Sequence, residues 1–239
     1  MSAFLPETVA VIRRDGETCA AEFRLLAKGE AGLVLKLQEE VLTNESDAKL
    51  YHPLSAAEAK LMVEGQGVTM GAFVDGRLVA FYAVFFPHLA CSNLGRDVDL
   101  PPEHLTRVAH FEAVCVHPHF RGNGLQKLLI RRLIHFLRAT PYDLLFQTVS
   151  PFNLPSVTNC LAAGFAVCAV KQKYGQEWRY ILFRHRDVPL PWENKSRITV
   201  PLTDFAGQQR AFAEGYVGVE ILREDNEMRL ALIKRKSMA

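Results

Sequence analysis

The stretch AHFEAVCVHPHFRGNGLQKLLI, Ala109 to Ile130, constrains the fold of this chain more than any other. An apolar run with β-branched residues stops at Pro118. A turn carrying Gly122 and Gly124 follows, and a second apolar pattern then restarts at helical spacing through Leu125, Leu129, Leu133 and Phe136. Proline has no N–H to give a β ladder, and glycine reaches backbone conformations closed to other residues. The stretch therefore reads as strand, tight turn and helix, a unit of α/β folds.

The rest of the chain supplies more elements of both kinds. Residues 9–27 alternate in patches about Asp15 and Gly16, which predicts two strands and a turn. Leu33, Leu37 and Val41 recur every four residues and predict an amphipathic helix over 30–42. Ser55, with Glu58 three residues on, predicts a capped helix over 55–64. Asp75-Gly76 predicts a hairpin within 68–87. The connection 88–106, rich in Pro, Asp and Gly, reads as a binding loop or a plain insertion. Beyond the opening stretch come a predicted strand over 144–149, a helix over 156–163 closed by Gly164, and two strands within 166–184 around Gly175-Gln176. The texture changes after Asp187, where a hairpin over 215–235 turning at 224–226 is the main signal. The sum is mixed α/β, divided into an N-terminal strand and extension (1–20), a main domain (21–186) and a C-terminal β extension (187–239).

Composition narrows the function classes. With 239 residues, 49% of them apolar, the chain can bury a sizeable core, and a net charge of only +2 supplies no basic field for nucleic acid. The N-terminus lacks a basic cluster followed by an apolar run, and about 18 uncharged apolar residues never occur together, which implies a cytoplasmic protein without a membrane partner. Cys19, Cys91, Cys115, Cys160 and Cys168 are widely spaced, so neither a metal site nor a disulfide scaffold is expected.

The turn carries the chemistry. A strand end, two glycines and a helix start leave backbone N–H groups at a positive helix terminus, which suits an anion, and Arg121 adds a charged donor. The alternative is an ordinary strand-to-helix turn with a solvent-facing arginine. No Gly-Lys-Ser/Thr follows, and the spacing is not GxGxxG, so neither common nucleotide motif applies.

The words VCVHPHFRGNGLQKLL resemble the acyl-coenzyme A turn of the GNAT N-acetyltransferases, in which a strand ending V-x-P leads into R/Q-x-x-G-x-G/A and a helix. Gln126 stands where that family usually has Gly or Ala, so only its backbone N–H is expected to bind. Downstream, NLPSVTNCLAAGF is similar to the family's fourth helix at Asn153 and Gly164-Phe165, with Cys160 where a tyrosine often stands. The resemblance spans about 21–186. It implies the GNAT fold, a mixed central β-sheet flanked by α-helices, and acetyl-coenzyme A as cosubstrate without a metal. It also implies a coenzyme site made of Val114, Cys115 and Val116 through their main chain, Arg121, Gly122, Asn123, Gly124, Leu125 and Gln126 in the turn, and Asn153 and Ser156 in the later segment.

Acetyl transfer needs a base for the amine and a proton for the leaving thiolate. Strict alternation puts His110, Glu112, Val114 and Val116 on one face of the strand unless a bulge intervenes. Some family members carry glutamate six residues before the valine that stands here as Val116, and others histidines six and four residues before it; His110 and Glu112 occupy those two positions, which makes them the candidate bases. A salt bridge of Glu112 with a residue such as Arg107 is the structural alternative. Cys160 is the candidate acid, against a role in packing, with water, Tyr174 or Ser150 as substitutes. Trp178 and Trp192 read as cover for apolar surface. Lys127, Arg131, Arg132 and Arg138 read as the solvated helix face, and Tyr216, Val217 and Val219 as apolar contacts of a homodimer. The implied function is N-acetyl transfer to a primary amine, of a small molecule first, with a protein or peptide acceptor or a non-catalytic coenzyme-binding module as alternatives.

Overall fold

A computed structural model describes residues 8–43, 51–188 and 192–235. Parts of the expected N-terminal extension (1–7) and tail (189–191 and 236–239) lie outside the described residues, as do 44–50 and the side chain of Trp192. The fold is mixed α/β, in two compact units: Met1–Pro87 with Ala109–Pro141, and His88–Val108 with Tyr142–Ala239.

In the first unit, β1 (Thr8–Ile12), β2 (Thr18–Leu25), β3 (Gly67–Val74), β4 (Arg77–Phe85) and β5 (Val108–Val116) are neighbours in chain order, each antiparallel to the last. β3 and β4 turn through Asp75 (φ 49°) and Gly76 (φ 74°), the doubly left-handed turn that matches the twist of a two-residue hairpin. α1 (Ala31–Leu42) and α2 (Ala56–Glu64) cover the sheet face that carries Phe81, Ala83, Ala113 and Cys115. The capping box of α2 is present: Glu58 N donates to Ser55 Oγ at 3.3 Å, and Ser55 N to Glu58 Oε2 at 2.8 Å. Gln38, buried in α1, donates to Leu54 O (3.0 Å) and accepts from Leu54 N (2.9 Å) and Tyr51 Oη (2.8 Å), tying the segment before α2 to α1.

α3 (Leu125–Leu137) packs on the opposite face. Phe23 pairs with Ala72, which pairs with Ala80, and the Arg132 guanidinium lies 4.3 Å from the Phe23 ring centroid. Arg132 is thus half-buried against an aromatic ring, unlike the solvated residue expected. Leu137 is buried, whereas Phe136 is only partly so.

The second unit holds β6 (Leu144–Val149), α4 (Leu154–Ala162), β7 (Ala166–Lys173), β8 (Glu177–His185), β9 (Trp192–Pro201), α5 (Phe205–Ala213), β10 (Tyr216–Glu224) and β11 (Glu227–Arg235). Its strands lie in the order β6-β8-β7-β10-β11-β9. Gly164 (φ 83°) closes α4, with Phe165 N bonded to Cys160 O (3.1 Å) and Gly164 N to Leu161 O (2.9 Å), the paired bonds of a Schellman cap. A Cβ on Gly164 would meet Arg184 Nη1 at 2.5 Å. The connection after β4 is ordered around buried Asn93, which donates to His88 O (2.6 Å) and Leu105 O (3.0 Å) and accepts from Gly95 N (2.9 Å).

The tail adds more than the expected hairpin. β10 and β11 do turn at Asp225 (φ 47°) and Asn226 (φ 66°), but β9 pairs with β11, and β10 pairs with β7 at Gly218 and Val167. Val217, expected at a dimer surface, is buried with Ala166 and Ile233, and Val219 packs against them. Among the described residues, no helix is long and apolar enough to cross a membrane.

Candidate active site

The glycine turn is built as its sequence demands. After β5, a 3-10 turn over Pro118–Phe120 leads to Arg121, then to Gly122 (φ 84°) and Gly124 (φ 68°). Nothing lies within 4 Å of a Cβ placed on Gly122, and Lys127 Cε stands 3.7 Å from one on Gly124. Backbone angle, not crowding, therefore selects glycine at both positions. Gly124 caps α3 without a side chain, and the first turn holds no acidic residue. The N–H groups that begin an α-helix have no acceptor within it, so Leu125, Gln126 and Lys127 stand at a terminus suited to an anion.

Asn123 does something the sequence does not reveal. Its Oδ1 accepts from Ile12 N (2.7 Å), and its Nδ2 donates to Ile12 O (2.7 Å) and Phe120 O (3.0 Å). The carboxamide thus mimics a strand partner for the end of β1, and Arg14 N donates to His119 O (2.8 Å) alongside. The N-terminal hairpin clamps the turn from outside. Arg121 Nε points back to Val116 O at 3.4 Å. His117 accepts from His119 N (3.2 Å) through Nδ1 and places Nε2 4.0 Å from Glu40 Oε2. Its burial, helped by the charges of Arg77 and His119, holds the imidazole below the ordinary histidine value, with Glu40 opposing.

A β-bulge interrupts β5 at the glutamate. Ala83 pairs with Ala113, but Val84 pairs with Phe111, which leaves Glu112 as the extra residue. Strict alternation therefore fails. Phe111, Val114 and Val116 share a face with Val84, Tyr82 and Ala80, whereas His110, Ala113 and Cys115 share the opposite face with Phe85, Ala83 and Phe81. His110 and Glu112 nevertheless stay together, with Nδ1 to Oε2 at 3.6 Å, and the Phe85 ring centroid lies 6.1 Å from that of His110. His110 is 3% exposed and the Glu112 side chain 28%. The bulge leaves a buried imidazole backed by a carboxylate that reaches solvent. Arg107 is occupied elsewhere, in a bidentate pair with Asp143 (2.9 and 2.6 Å), so the alternative in which it pairs with Glu112 does not hold.

The later segment lies in the second unit. Asn153 caps α4, its Oδ1 accepting from Ser156 N at 3.2 Å, and Cys160 is fully buried in the same helix. Thr148 Oγ1 and Tyr174 Oη are 3.1 Å apart near the end of β6, and Ser150 is buried beyond it. Among the described residues, no three His, Cys, Asp or Glu are grouped to hold a metal ion.

Residues 35–165 match the profile of the Acetyltransferase (GNAT) family. Comparison with curated proteins finds no match. Solved structures share the fold. The GNAT domain of S. lividans PAT is 18% identical, with TM-score 0.53 over 74% of this chain and 96% of that one. yncA from Salmonella typhimurium, with its cofactor acetyl-CoA, is 15% identical, with TM-score 0.53 over 71% and 97%. The ribosomal-protein-S18-alanine N-acetyltransferase from Escherichia coli is 15% identical, with TM-score 0.53 over 74% and 99%.

Proposed function

The chain belongs to the GNAT acetyltransferase family, and from that premise we propose that it moves an acetyl group from acetyl-coenzyme A to a primary amine of a small molecule by direct attack. The observation that carries the coenzyme half is the left-handed pair Gly122 and Gly124, opening a helix whose first turn has neither a side-chain cap nor an acid. In this reading the backbone N–H groups of Gly124, Leu125 and Gln126 take the pyrophosphate, with Arg121 beside them. The main chain of Val114, Cys115 and Val116 orients the thioester and stabilises charge on its oxygen. Asn153 and Ser156 contribute from the start of α4, with Asn153 Nδ2 remaining once Oδ1 has capped the helix.

The transfer forms one C–N bond and breaks one C–S bond. The ammonium proton goes to the His110–Glu112 pair, directly or through water, because Glu112 reaches solvent and His110 stands 3.6 Å behind it. The leaving thiolate takes a proton from Cys160 or from water, and the second proton of the amine, lost from its nitrogen as the C–S bond breaks, passes back through water to that donor. Five cysteines, none in a disulfide among the described residues, accord with a cytoplasmic setting.

A peptide N-terminus is the second acceptor class, favoured by the ribosomal-protein-alanine acetyltransferases among the similar folds. The test is thiol release from acetyl-coenzyme A against matched panels of small amines and N-terminal peptides. Faster release with small amines is the expected result. Release with peptides alone moves the acceptor to protein, and saturable coenzyme binding with no release for any acceptor overturns catalysis.

A further inference from the structure

The second unit uses one pattern twice. β6-α4-β7-β8 and β9-α5-β10-β11 each run strand, helix, strand, strand, and in both the helix and the closing strand have nine residues. The match extends to single residues. Asn153 (φ −83°, ψ 69°) caps α4 by accepting from Ser156 N, and Asp204 (φ −85°, ψ 73°) caps α5 by accepting from Gly207 N. Gly164 (φ 83°) and Gly215 (φ 86°) follow the two helices. Val149 pairs with Tyr180 as Val200 pairs with Leu230, and the ion pair Glu177–Arg179 in β8 recurs as Glu227–Arg229 in β11. The irregularities agree as well: Cys168 is the extra residue between β7 and β8, and Val219, at the matching position, is the extra residue between β10 and β11. Caps and turns recur in many proteins, but a bulge at the same position of the same strand does not follow from either.

The two copies meet across a twofold relation. The strand order β6-β8-β7-β10-β11-β9 places each strand of one copy opposite its counterpart in the other. β7 and β10 are antiparallel and pair at Val167 and Gly218, which hold the same place in the two copies, so the twofold passes through that pair. α5 packs on β7, and α4 on β10. The apolar cluster at this seam consists of three matching pairs: Ala166 with Val217, Cys168 with Val219, and Phe183 with Ile233. Such self-complementarity is the pattern of an isologous interface between subunits, in which a surface meets its own copy. An unrelated tail laid on β7 has no cause to produce it. Without the tail, the outer edge of β7 would present unpaired N–H and C=O groups, a template for pairing with another chain. We infer that residues 192–235 are a second copy of the 144–185 unit, which closes the β7 edge in the place that a second copy of this chain would take, so that the chain works as a monomer. The copy does not add a second anion site, because Asp204 puts a carboxylate at the start of α5 where α4 has the neutral Asn153.

The test uses the full chain in two measurements. Sedimentation equilibrium over a range of protein concentrations is expected to give the mass of one chain throughout, and a dimer overturns the inference. Urea unfolding of Ala166→Val, Val217→Ala and the double variant tests the twofold seam. Ala166→Val overfills its site and Val217→Ala leaves a cavity, so each should lower the midpoint. The double variant exchanges matching residues across the twofold and is expected to recover most of the lost midpoint with an unchanged slope. Losses that simply add, or single variants with the wild-type midpoint, overturn the inference.

Discussion

Replacing Asn123 with alanine removes three hydrogen bonds at once: from Ile12 N, to Ile12 O and to Phe120 O. A typical intramolecular hydrogen bond contributes about 0.5–1.5 kcal/mol net. The groups left behind are near the surface and regain water, so the lower part of the summed range applies, about 1.5–2.5 kcal/mol. The loss detaches the end of β1 from the turn without touching the core. Urea unfolding should show a lower midpoint with an unchanged slope. The turn also loses its outer clamp, so KM for acetyl-coenzyme A should rise more than kcat falls. Asn123→Asp keeps the acceptor for Ile12 N but places a negative charge in an anion turn; it should lose less stability than the alanine variant and raise KM further. Stability within about 0.5 kcal/mol of wild type, the range of an unremarkable surface change, would refute the clamp.

Three other outcomes follow from the same structure. Gln38→Leu removes a buried carboxamide and takes their partner from the buried Leu54 N–H and carbonyl, and should destabilise the fold by about 2–4 kcal/mol in chemical denaturation; a loss under about 1 kcal/mol would show that the segment before α2 is held by other contacts. Burial pulls the Asp143 carboxyl upward, but the Arg107 hydrogen bonds and charge, with His185 and Arg186, win and leave it below its ordinary value. The pair therefore stabilises the fold above the unfolded carboxylate pKa of about 4 and loses that contribution as pH falls through the lower folded value. Arg107→Ala should cost about 1 kcal/mol or less at neutral pH, with the gap to wild type closing in acid; a gap independent of pH would remove this ion pair as its cause. Cys160→Ala and Cys160→Ser test the thiol as the source of the thiolate proton: a lower turnover number in both variants, with KM for acetyl-coenzyme A unchanged, is the outcome expected of the acid, and an unimpaired alanine variant removes Cys160 from the mechanism.

What the sequence conveyed was local. The strand, glycine turn and helix of 109–137, the capping box at Ser55 and Glu58, and the hairpin turns at Asp75-Gly76 and Asp225-Asn226 each rest on residues a few positions apart. The features that escaped it depend on distant partners. The Glu112 bulge is a mismatch with the register of β4, and alternation within one strand carries no trace of it. Asn123 between two glycines looks like turn chemistry, yet its partner is Ile12, 111 residues earlier. β9 is polar and proline-flanked because it is the last strand beside β11, and α5 is announced only by the Asp204 cap, whose Oδ1 accepts from Gly207 N at 2.8 Å. Arg132 gave the signature of a solvated face because charge, not position over Phe23, is what a sequence displays.

The central claim is that this turn and the paired His110 and Glu112 carry out one acetyl transfer. It is tested most directly by measuring released thiol and acetylated amine together across pH 6–9, roughly the range in which such bases and the amine titrate, in wild type and in the Glu112→Gln/His110→Ala double variant. Equal amounts of thiol and amide are expected in the wild type, and the double variant is expected to bind acetyl-coenzyme A as tightly but to turn over far more slowly, with a shifted pH profile. Thiol released without amide, or a double variant with the wild-type rate throughout that range, would contradict it.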